Sequence, residues 1–291
     1  MLGIYSKNYM KIFLKLTRVN MSTAIAFSAL AGYIIASHTL DWTAISVFLG
    51  VLLLAGSATV LNQYQERYFD ALMSRTRNRP LPSHQMNPKM ALVLAIVLGL
   101  KGLAILYFLT TPTTALLGLF NIIWYNGVYT PLKRRTPYVI LVGAVTGAIP
   151  PLMGWTATGA GIFSPDILFI AAFMFFWQIP HFCLLLLKFR KDYEMAGFPS
   201  ITSLLSEKRI QFIIFIWIVS TSLSTLIFPL FHLISGSILI VCIILLNVIL
   251  VSSFYRNAFS KNIAFDLGKS FRSLYLYQVS ILAILMIHAL I

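Results

Sequence analysis

The feature that most constrains the fold of this chain is a series of long apolar runs separated by short polar segments. A helix of about twenty residues crosses the hydrocarbon core of a bilayer, and inside lipid the helix itself must satisfy the backbone polar groups. The runs therefore predict transmembrane helices. We identify nine of them, at residues 21–37, 43–61, 90–109, 113–129, 138–157, 166–187, 210–229, 235–254 and 271–290.

The composition excludes an ordinary soluble protein. Apolar residues make up 59% of the 291 residues and charged residues only 10%, and a soluble core could not bury so much hydrocarbon. The basic start leads into a first apolar run that is followed by further runs, so we expect an uncleaved first helix. No linker or low-complexity tract interrupts the pattern, which predicts one all-α polytopic domain over residues 1–291.

The distribution of charge predicts the orientation in the membrane. A net charge of +14 could indicate a nucleic-acid partner, but all except one of the 22 Lys and Arg residues lie before the first run or in alternate loops. This is the positive-inside pattern, so we expect a lipid bilayer and no nucleic acid, with the N-terminus cytoplasmic. An odd number of spans places the C-terminus outside. The outer loops are short, and the chemistry is expected in the cytoplasmic segments 62–89 and 188–209.

The first of these segments begins with oxygen-bearing side chains at a four-residue spacing. Asn62, Glu66 and Asp70 would share one face of a helix that continues the second run. Amide and carboxylate oxygens suit a hard cation such as Mg²⁺, and nearby arginines such as Arg75 offer guanidinium groups for phosphate. The segment indicates a site for a metal-bound diphosphate. The alternative is a solvated helix end whose carboxylates pair with the arginines.

A second group of candidate residues lies where the sixth run leaves the membrane. His181, Lys188 and Asp192 share one helix face by their spacing. Spans two and six run in the same direction, so the two groups would lie on the same side of the membrane and could hold one diphosphate between two metal ions. His181 lies deeper, where it could contact a buried cofactor or substrate or form an interhelical hydrogen bond. For the other charges, anchoring to lipid headgroups is the alternative.

A third segment, from Tyr129 to Pro137, is short and densely basic. The hydroxyl of Tyr129 and the ammonium of Lys133 could each donate a hydrogen bond to a leaving diphosphate. Arg134 and Arg135 are better explained as positive-inside anchors.

These segments resemble the UbiA superfamily of intramembrane polyprenyltransferases, and within it the branch that modifies haem. Members that act on quinone precursors usually have Asp where Glu66 stands and a second Asp where this chain has Ala196. The chain departs from the branch at residues 17–20 and 198–200. The motifs that carry the resemblance are Asn62…Glu66…Asp70 with Met73-Ser-Arg75-Thr and Arg79-Pro-Leu81, Tyr129-Thr-Pro-Leu-Lys133-Arg-Arg-Thr-Pro137, Gly147-Ala-Ile-Pro150-Pro-Leu-Met-Gly154-Trp155, and Pro180-His-Phe182 with Asp192-Tyr193 and Ala196-Gly-Phe-Pro199.

The resemblance implies a bundle of nine helices around a central cavity, in a bacterial cytoplasmic (inner) membrane. Farnesyl diphosphate would bind with Mg²⁺ at the cytoplasmic side, and farnesyl would pass to a vinyl group of haem b with hydration, giving haem O. Haem b would be a substrate rather than a cofactor, and a haem A synthase or a terminal oxidase assembly would be a partner. Prenylation of an aromatic quinone precursor or a chlorin is the alternative acceptor reaction, and a transporter is the alternative of a different class.

The resemblance also implies roles for individual residues. His181 would lie on the porphyrin side. The metal ligands would be Asn62, Glu66, Asp70 and Asp192. The catalytic groups around the departing diphosphate would be Arg75, Tyr129, Lys133 and Lys188. The rings expected to line an apolar tunnel for the isoprenoid tail include Phe173, Phe175, Phe176 and Trp177.

Overall fold

Every regular element that the structure describes is helical, as the sequence predicts. The computed structural model describes residues 2–259 and 265–291, with the side chains of these residues other than 2–8 and 257. The helices are α1 Leu2–Leu16, α2 Val19–Ser37, α3 Trp42–Leu72, α4 Pro88–Leu109, α5 Pro112–Ile122, α6 Thr130–Leu132, α7 Val139–Thr156, α8 Pro165–Lys188, α9 Arg190–Met195, α10 Ile201–Leu204, α11 Glu207–Leu226, α12 Ser237–Phe259 and α13 Leu267–Leu290, with a π-helix at Ile123–Tyr129 and a 3-10 helix at Phe228–Phe231.

Eight helices among the described residues are long and apolar enough to cross a membrane, namely α2, α3, α4, α7, α8, α11, α12 and α13. This agrees with the prediction of an all-α integral membrane protein. The longest of them, α3, runs for 31 residues without interruption. At about 1.5 Å per residue it extends well beyond the roughly 30 Å hydrocarbon layer, so one end projects past the lipid.

The predicted span at 113–129 is built differently from the others. Helix α5 continues directly as the π-helix Ile123–Tyr129, and α6 follows without a break. Pro131 has no N–H to donate to the preceding turn, and the hydroxyl of Thr130 donates instead to the carbonyl of Tyr125 at 2.9 Å. Segments of π-helix are rare and occur frequently at functional sites.

Helices α2 and α7 approach each other backbone to backbone. A Cβ atom on Gly154 would overlap the carbonyl oxygen of Ala29 and lie 2.6 Å from the amide nitrogen of Tyr33. A Cβ on Gly32 would overlap the carbonyl oxygen of Pro151. Small residues allow such close contacts between helices in lipid, where packing rather than hydrophobic burial drives association.

A buried polar network joins the helices of the C-terminal half. The hydroxyl of Tyr277 donates to Asn247 Oδ1 at 2.7 Å, and Asn247 Nδ2 donates to Thr225 Oγ1 at 3.0 Å. The indole N–H of Trp177 donates to the carbonyl of Leu274 at 2.9 Å. These bonds connect α11 to α12 and α13, and α8 to α13, in a region where unpaired polar groups would be costly.

Helix α7 is the wall shared by two apolar clusters. Ile140 and Ala144 belong to the cluster formed mainly with α8, α11, α12 and α13. Ile149 and Met153 belong to the cluster formed with α2, α3 and α5. The two halves of the chain therefore meet at α7.

We expect Gly154→Ala to destabilise the fold by about 3 kcal/mol or more, because the added methyl group meets backbone atoms of α2 that cannot rotate away. Thermal unfolding of the purified protein in detergent measures the effect. Gly161→Ala is the matched control, since the nearest atom to its Cβ position is Ser164 Oγ at 3.9 Å. Equal unfolding temperatures for the two variants would contradict the close α2–α7 packing.

Candidate active site

A cavity of about 530 Å³ lies among α2, α3, α5, α7, α8 and α13. Its charged lining residues come from one end of these helices or from the connections beyond that end. Four cations face two carboxylates there, which favours an anionic ligand. These charged residues are Arg18, Glu66, Asp70, Arg75, Arg79 and Lys133.

The end of α3 supplies the oxygen-bearing side chains. The predicted continuation of the helix through Asp70 is confirmed, and Asn62, Glu66 and Asp70 are all buried in the protein and line the cavity. The amide nitrogen of Asn62 donates to Thr130 Oγ1 at 3.1 Å, which orients the side chain. Their four-residue spacing therefore gives one continuous row of oxygen donors.

Both carboxylates in this row have a cationic partner. Lys133 Nζ lies 3.2 Å and 3.1 Å from the two carboxylate oxygens of Glu66. Arg79 Nη1 donates to Asp70 Oδ2 at 2.7 Å. Each acid is thus charged and held in place where burial alone would disfavour ionisation.

Lys133 is fixed in its charged form. Burial alone would lower its pKa, but Tyr193 and the carboxylate of Glu66 raise the pKa above its ordinary value. Its ammonium also lies 5.0 Å from the ring centroid of Phe198 and 5.5 Å from that of Tyr193. The sequence indicated Lys133 for diphosphate binding, and the side chain does line the cavity.

Three guanidinium groups gather beside this pair. Arg18, in a left-handed conformation between α1 and α2 with φ 46°, lines the cavity together with Arg75 and Arg79. Desolvation and the nearby Arg79 and Arg75 lower the pKa of Arg18. Sequence reasoning treated Arg18 as a membrane anchor, and no local pattern indicates that the α1–α2 turn directs it inward.

Asp192 lies outside the cavity lining and holds the loop that carries Arg75. Its Oδ1 accepts hydrogen bonds from Ser74 Oγ at 2.6 Å and Ser74 N at 3.0 Å, and its Oδ2 accepts from Arg75 N at 3.4 Å. Burial raises the pKa of Asp192, but these bonds outweigh burial and hold the pKa below its ordinary value. Asp192 therefore ties α9 to the connection after α3.

Lys188 is also outside the cavity lining. Its ammonium lies 5.3 Å from the ring centroid of Phe271 and 5.5 Å from that of Phe189. The structure thus separates the predicted site residues into two groups. Lys188 and Asp192 lie outside the cavity, whereas the residues brought together around it are Asn62, Glu66, Asp70, Arg75, Tyr129, Lys133 and His181.

The π-helix directs two tyrosines into the cavity. Tyr125 and Tyr129 stack with ring centroids 5.5 Å apart and an interplanar angle of 16°. Both line the same cavity as Lys133. Sequence reasoning selected Tyr129 but missed Tyr125, because a helix break at this point is not readable from the apolar pattern.

His181 lies at the other side of the cavity in an aromatic setting. Its ring stacks on Trp177 with centroids 5.2 Å apart and an interplanar angle of 11°, and its Nε2 lies 3.5 Å from the hydroxyl of Tyr275. Its buried Nδ1 has no hydrogen-bond partner among the described residues. Tyr275 and Gln278 also line this side and were not predicted.

Of the four rings predicted to line a tunnel, Trp177 is the one that lines the cavity. Phe173 is buried instead in the apolar core of α8, α11 and α13. Phe175 and Phe176 pack against each other at 6.0 Å. The run of rings is helical, so its members point in different directions.

The donor set fits a hard cation that arrives with an anionic ligand. Within the described residues, no group of three or more His, Cys, Asp and Glu side chains forms a closed metal site. Asn62, Glu66 and Asp70 nevertheless offer oxygen atoms to one side of the cavity. Mg²⁺ commonly binds through one or two carboxylates, several waters and the phosphate oxygens of a substrate, so a sparse set of this kind is sufficient.

Comparisons with known proteins agree with this arrangement. A protoheme IX farnesyltransferase of Geobacter sulfurreducens is 38% identical over 223 residues, which cover 76% of this chain and 81% of that protein. The fold matches the solved structure of a digeranylgeranylglyceryl phosphate synthase with a TM-score of 0.78, over 97% of this chain and 98% of that chain, at 16% identity.

A UbiA homologue from Archaeoglobus fulgidus bound to GPP and Mg²⁺ matches with a TM-score of 0.70, over 96% of this chain and 98% of that chain, at 14% identity. The model of the UbiA prenyltransferase family matches residues 25–264. The chain therefore belongs to the UbiA prenyltransferase family.

Proposed function

We propose that this protein transfers the farnesyl group of farnesyl diphosphate to a vinyl group of haem b, with addition of water, to give haem O. The observation that carries the proposal is one cavity with paired carboxylates and four cations at one end and apolar and aromatic walls beyond them. A diphosphate requires the first part, and an isoprenoid and a porphyrin require the second. The similarity to a protoheme IX farnesyltransferase supports this choice of donor and acceptor.

The proposed metal is Mg²⁺, held by Asn62, Glu66 and Asp70 together with oxygen atoms of the diphosphate. When bound, it supplies Lewis-acid stabilisation of the leaving diphosphate. The hydrogen bonds of Asp192 to Ser74 and Arg75 support a positioning role. Direct ligation by Asp192 stays a prediction from the sequence.

The cations on this side hold the diphosphate and stabilise the charge that develops as the allylic C–O bond breaks. Arg75 and Lys133 point into the cavity, and the hydroxyl of Tyr129 is available as a neutral donor. Arg18 and Arg79 add to the same field. The role of Lys188 at the diphosphate stays a prediction, because its ammonium lies against Phe189 and Phe271.

The acceptor side orients the porphyrin and excludes bulk water. Trp177, His181 and Tyr275 present flat or polar surfaces to a macrocycle. The terminal vinyl carbon attacks the farnesyl cation, a positive charge forms on the carbon next to the ring, and water adds there with loss of a proton. A dry apolar enclosure protects the first cation from premature hydrolysis.

We further propose that the segment from Pro112 to Leu132 is a ninth crossing of the membrane. Its helical structure is continuous and it lines the cavity. Nine crossings around a central cavity, with a cytoplasmic N-terminus in a bacterial inner membrane, follow from the positive-inside pattern. The product would then pass to a haem A synthase or a terminal oxidase assembly.

The purified protein is expected to convert haem b and farnesyl diphosphate to haem O only when Mg²⁺ is present. Mass spectrometry of the extracted haems measures the product. An aromatic quinone precursor and a chlorin, each offered in place of haem b, serve as control acceptors. Prenylation of either control acceptor without prenylation of haem b would overturn the choice of acceptor.

Glu66→Gln is expected to lower kcat for diphosphate release at least about 100-fold, because the neutral amide no longer binds a hard cation or pairs with Lys133. Release of diphosphate is measured at several Mg²⁺ concentrations. Glu194→Gln is the matched control, since Glu194 is exposed in an ion pair with Arg190. Activity of the Glu66 variant equal to that of the control would exclude Glu66 from the site.

Asp192→Asn and Ser74→Ala are expected to raise KM for the diphosphate by about tenfold each, because either change loosens the loop that carries Arg75. A titration of activity with Mg²⁺ separates this role from metal ligation. A positioning role leaves the half-saturating Mg²⁺ concentration unchanged in both variants. An increase confined to Asp192→Asn would instead identify Asp192 as a ligand.

A further inference from the structure

We propose that one arm of the cavity, which we call the donor arm, holds the isoprenoid tail and that its closed end limits the tail to three isoprene units. The inference rests on the proposed function and adds the residues that select the length of the donor. The donor arm runs between α2, α3, α5 and α7. Its apolar lining includes Ala24, Ile25, Val51, Leu54, Gly118 and Met153.

The chemistry of the two sides of the cavity assigns the tail to this arm. The donor arm presents alkyl groups and one thioether, which match the hydrocarbon of an isoprenoid and leave no polar group unpaired. The opposite side, lined by Trp177, His181 and Tyr275, presents aromatic faces and polar atoms. Those groups suit a flat macrocycle with polar substituents better than a flexible chain.

The length of the donor arm agrees with a farnesyl chain. Asn62, at the polar end, and Val51, at the apolar end, both lie on α3 and line the cavity. The helical rise of about 1.5 Å per residue puts them about 16 Å apart along the axis. An extended farnesyl chain is about 14 Å long and a geranylgeranyl chain about 19 Å, because each carbon–carbon bond of about 1.5 Å adds about 1.3 Å.

Three residues close the far end of the arm. A Cβ atom on Gly118 would lie 2.5 Å from Leu54 Cδ1 and 3.0 Å from Met153 Cε, both at the ends of flexible side chains. Leu54 and Met153 line the cavity themselves and are otherwise buried. Behind them, Leu106 is fully buried in the same apolar cluster. We call Leu54, Gly118 and Met153 the floor of the donor arm.

The packing at the floor predicts opposite effects of two substitutions. A methyl group on Gly118 displaces the ends of Leu54 and Met153, and the space open to them is the arm itself, so the arm becomes shorter. Removal of the Met153 side chain beyond Cβ opens space at the same point, so the arm becomes longer. A change of one methyl or methylene group in an apolar pocket alters discrimination by about 10-fold or more.

The test uses the full-length protein in detergent with Mg²⁺, haem b and geranyl, farnesyl or geranylgeranyl diphosphate. We expect Gly118→Ala to raise kcat/KM for geranyl relative to farnesyl diphosphate about 10-fold. We expect Met153→Ala to raise kcat/KM for geranylgeranyl relative to farnesyl diphosphate by a similar factor. Met174→Ala is the matched control, because Met174 lines the cavity on α8, away from the floor, and its relative preference for the three donors should equal that of the unmodified protein.

Thermal unfolding checks that each variant is folded, and Met153→Ala alone suffices as the test if Gly118→Ala does not fold. An unchanged order and ratio of the three donors in folded Met153→Ala overturns the proposal. A shift of the same size in Met174→Ala also overturns it, because the selection would not then reside at the floor.

Binding of thiodiphosphate analogues of the three donors, measured by calorimetry, separates this proposal from the proposed function. Selective binding of the farnesyl analogue that shifts in Met153→Ala, without any prenylated haem, supports the donor arm and refutes the acceptor. Prenylated haem with analogue binding that is insensitive to both floor substitutions supports the acceptor and refutes the floor.

Discussion

The ion pair between Glu66 and Lys133 is the interaction on which the rest of the site depends. It joins the end of α3 to the segment after α6, across 67 positions of sequence, with Nζ–Oε distances of 3.2 Å and 3.1 Å. Neither group could remain charged in a buried setting without the other. The pair therefore holds an anionic ligand for metal and a cation for phosphate side by side before any substrate binds.

Much of the fold could be predicted because lipid restricts the possibilities. Only helices satisfy their own backbone within a bilayer, so apolar runs translate directly into helices such as α3, α8 and α13. The row formed by Asn62, Glu66 and Asp70 was equally predictable, because helical spacing alone brings these side chains to one face.

The parts that escaped prediction depend on contacts between distant segments. Arg18 faces the cavity because of a left-handed turn between two helices, and Asp192 binds the backbone of Ser74 rather than facing the cavity. Tyr275 reaches His181 from the last helix of the chain. Local spacing contains no information on such approaches, which the packing of the whole bundle determines.

The π-helix of Ile123–Tyr129 has a consequence for how this protein can tolerate change in length. A turn of π-helix accommodates one more residue than a turn of α-helix. Loss of one residue there would let the segment become regular and rotate everything that follows by about 100°. Lys133 would then turn away from Glu66, although no residue of the site had been altered. Insertions and deletions in this apolar stretch, far from any charged group, should accordingly be as harmful as substitutions at the ion pair itself.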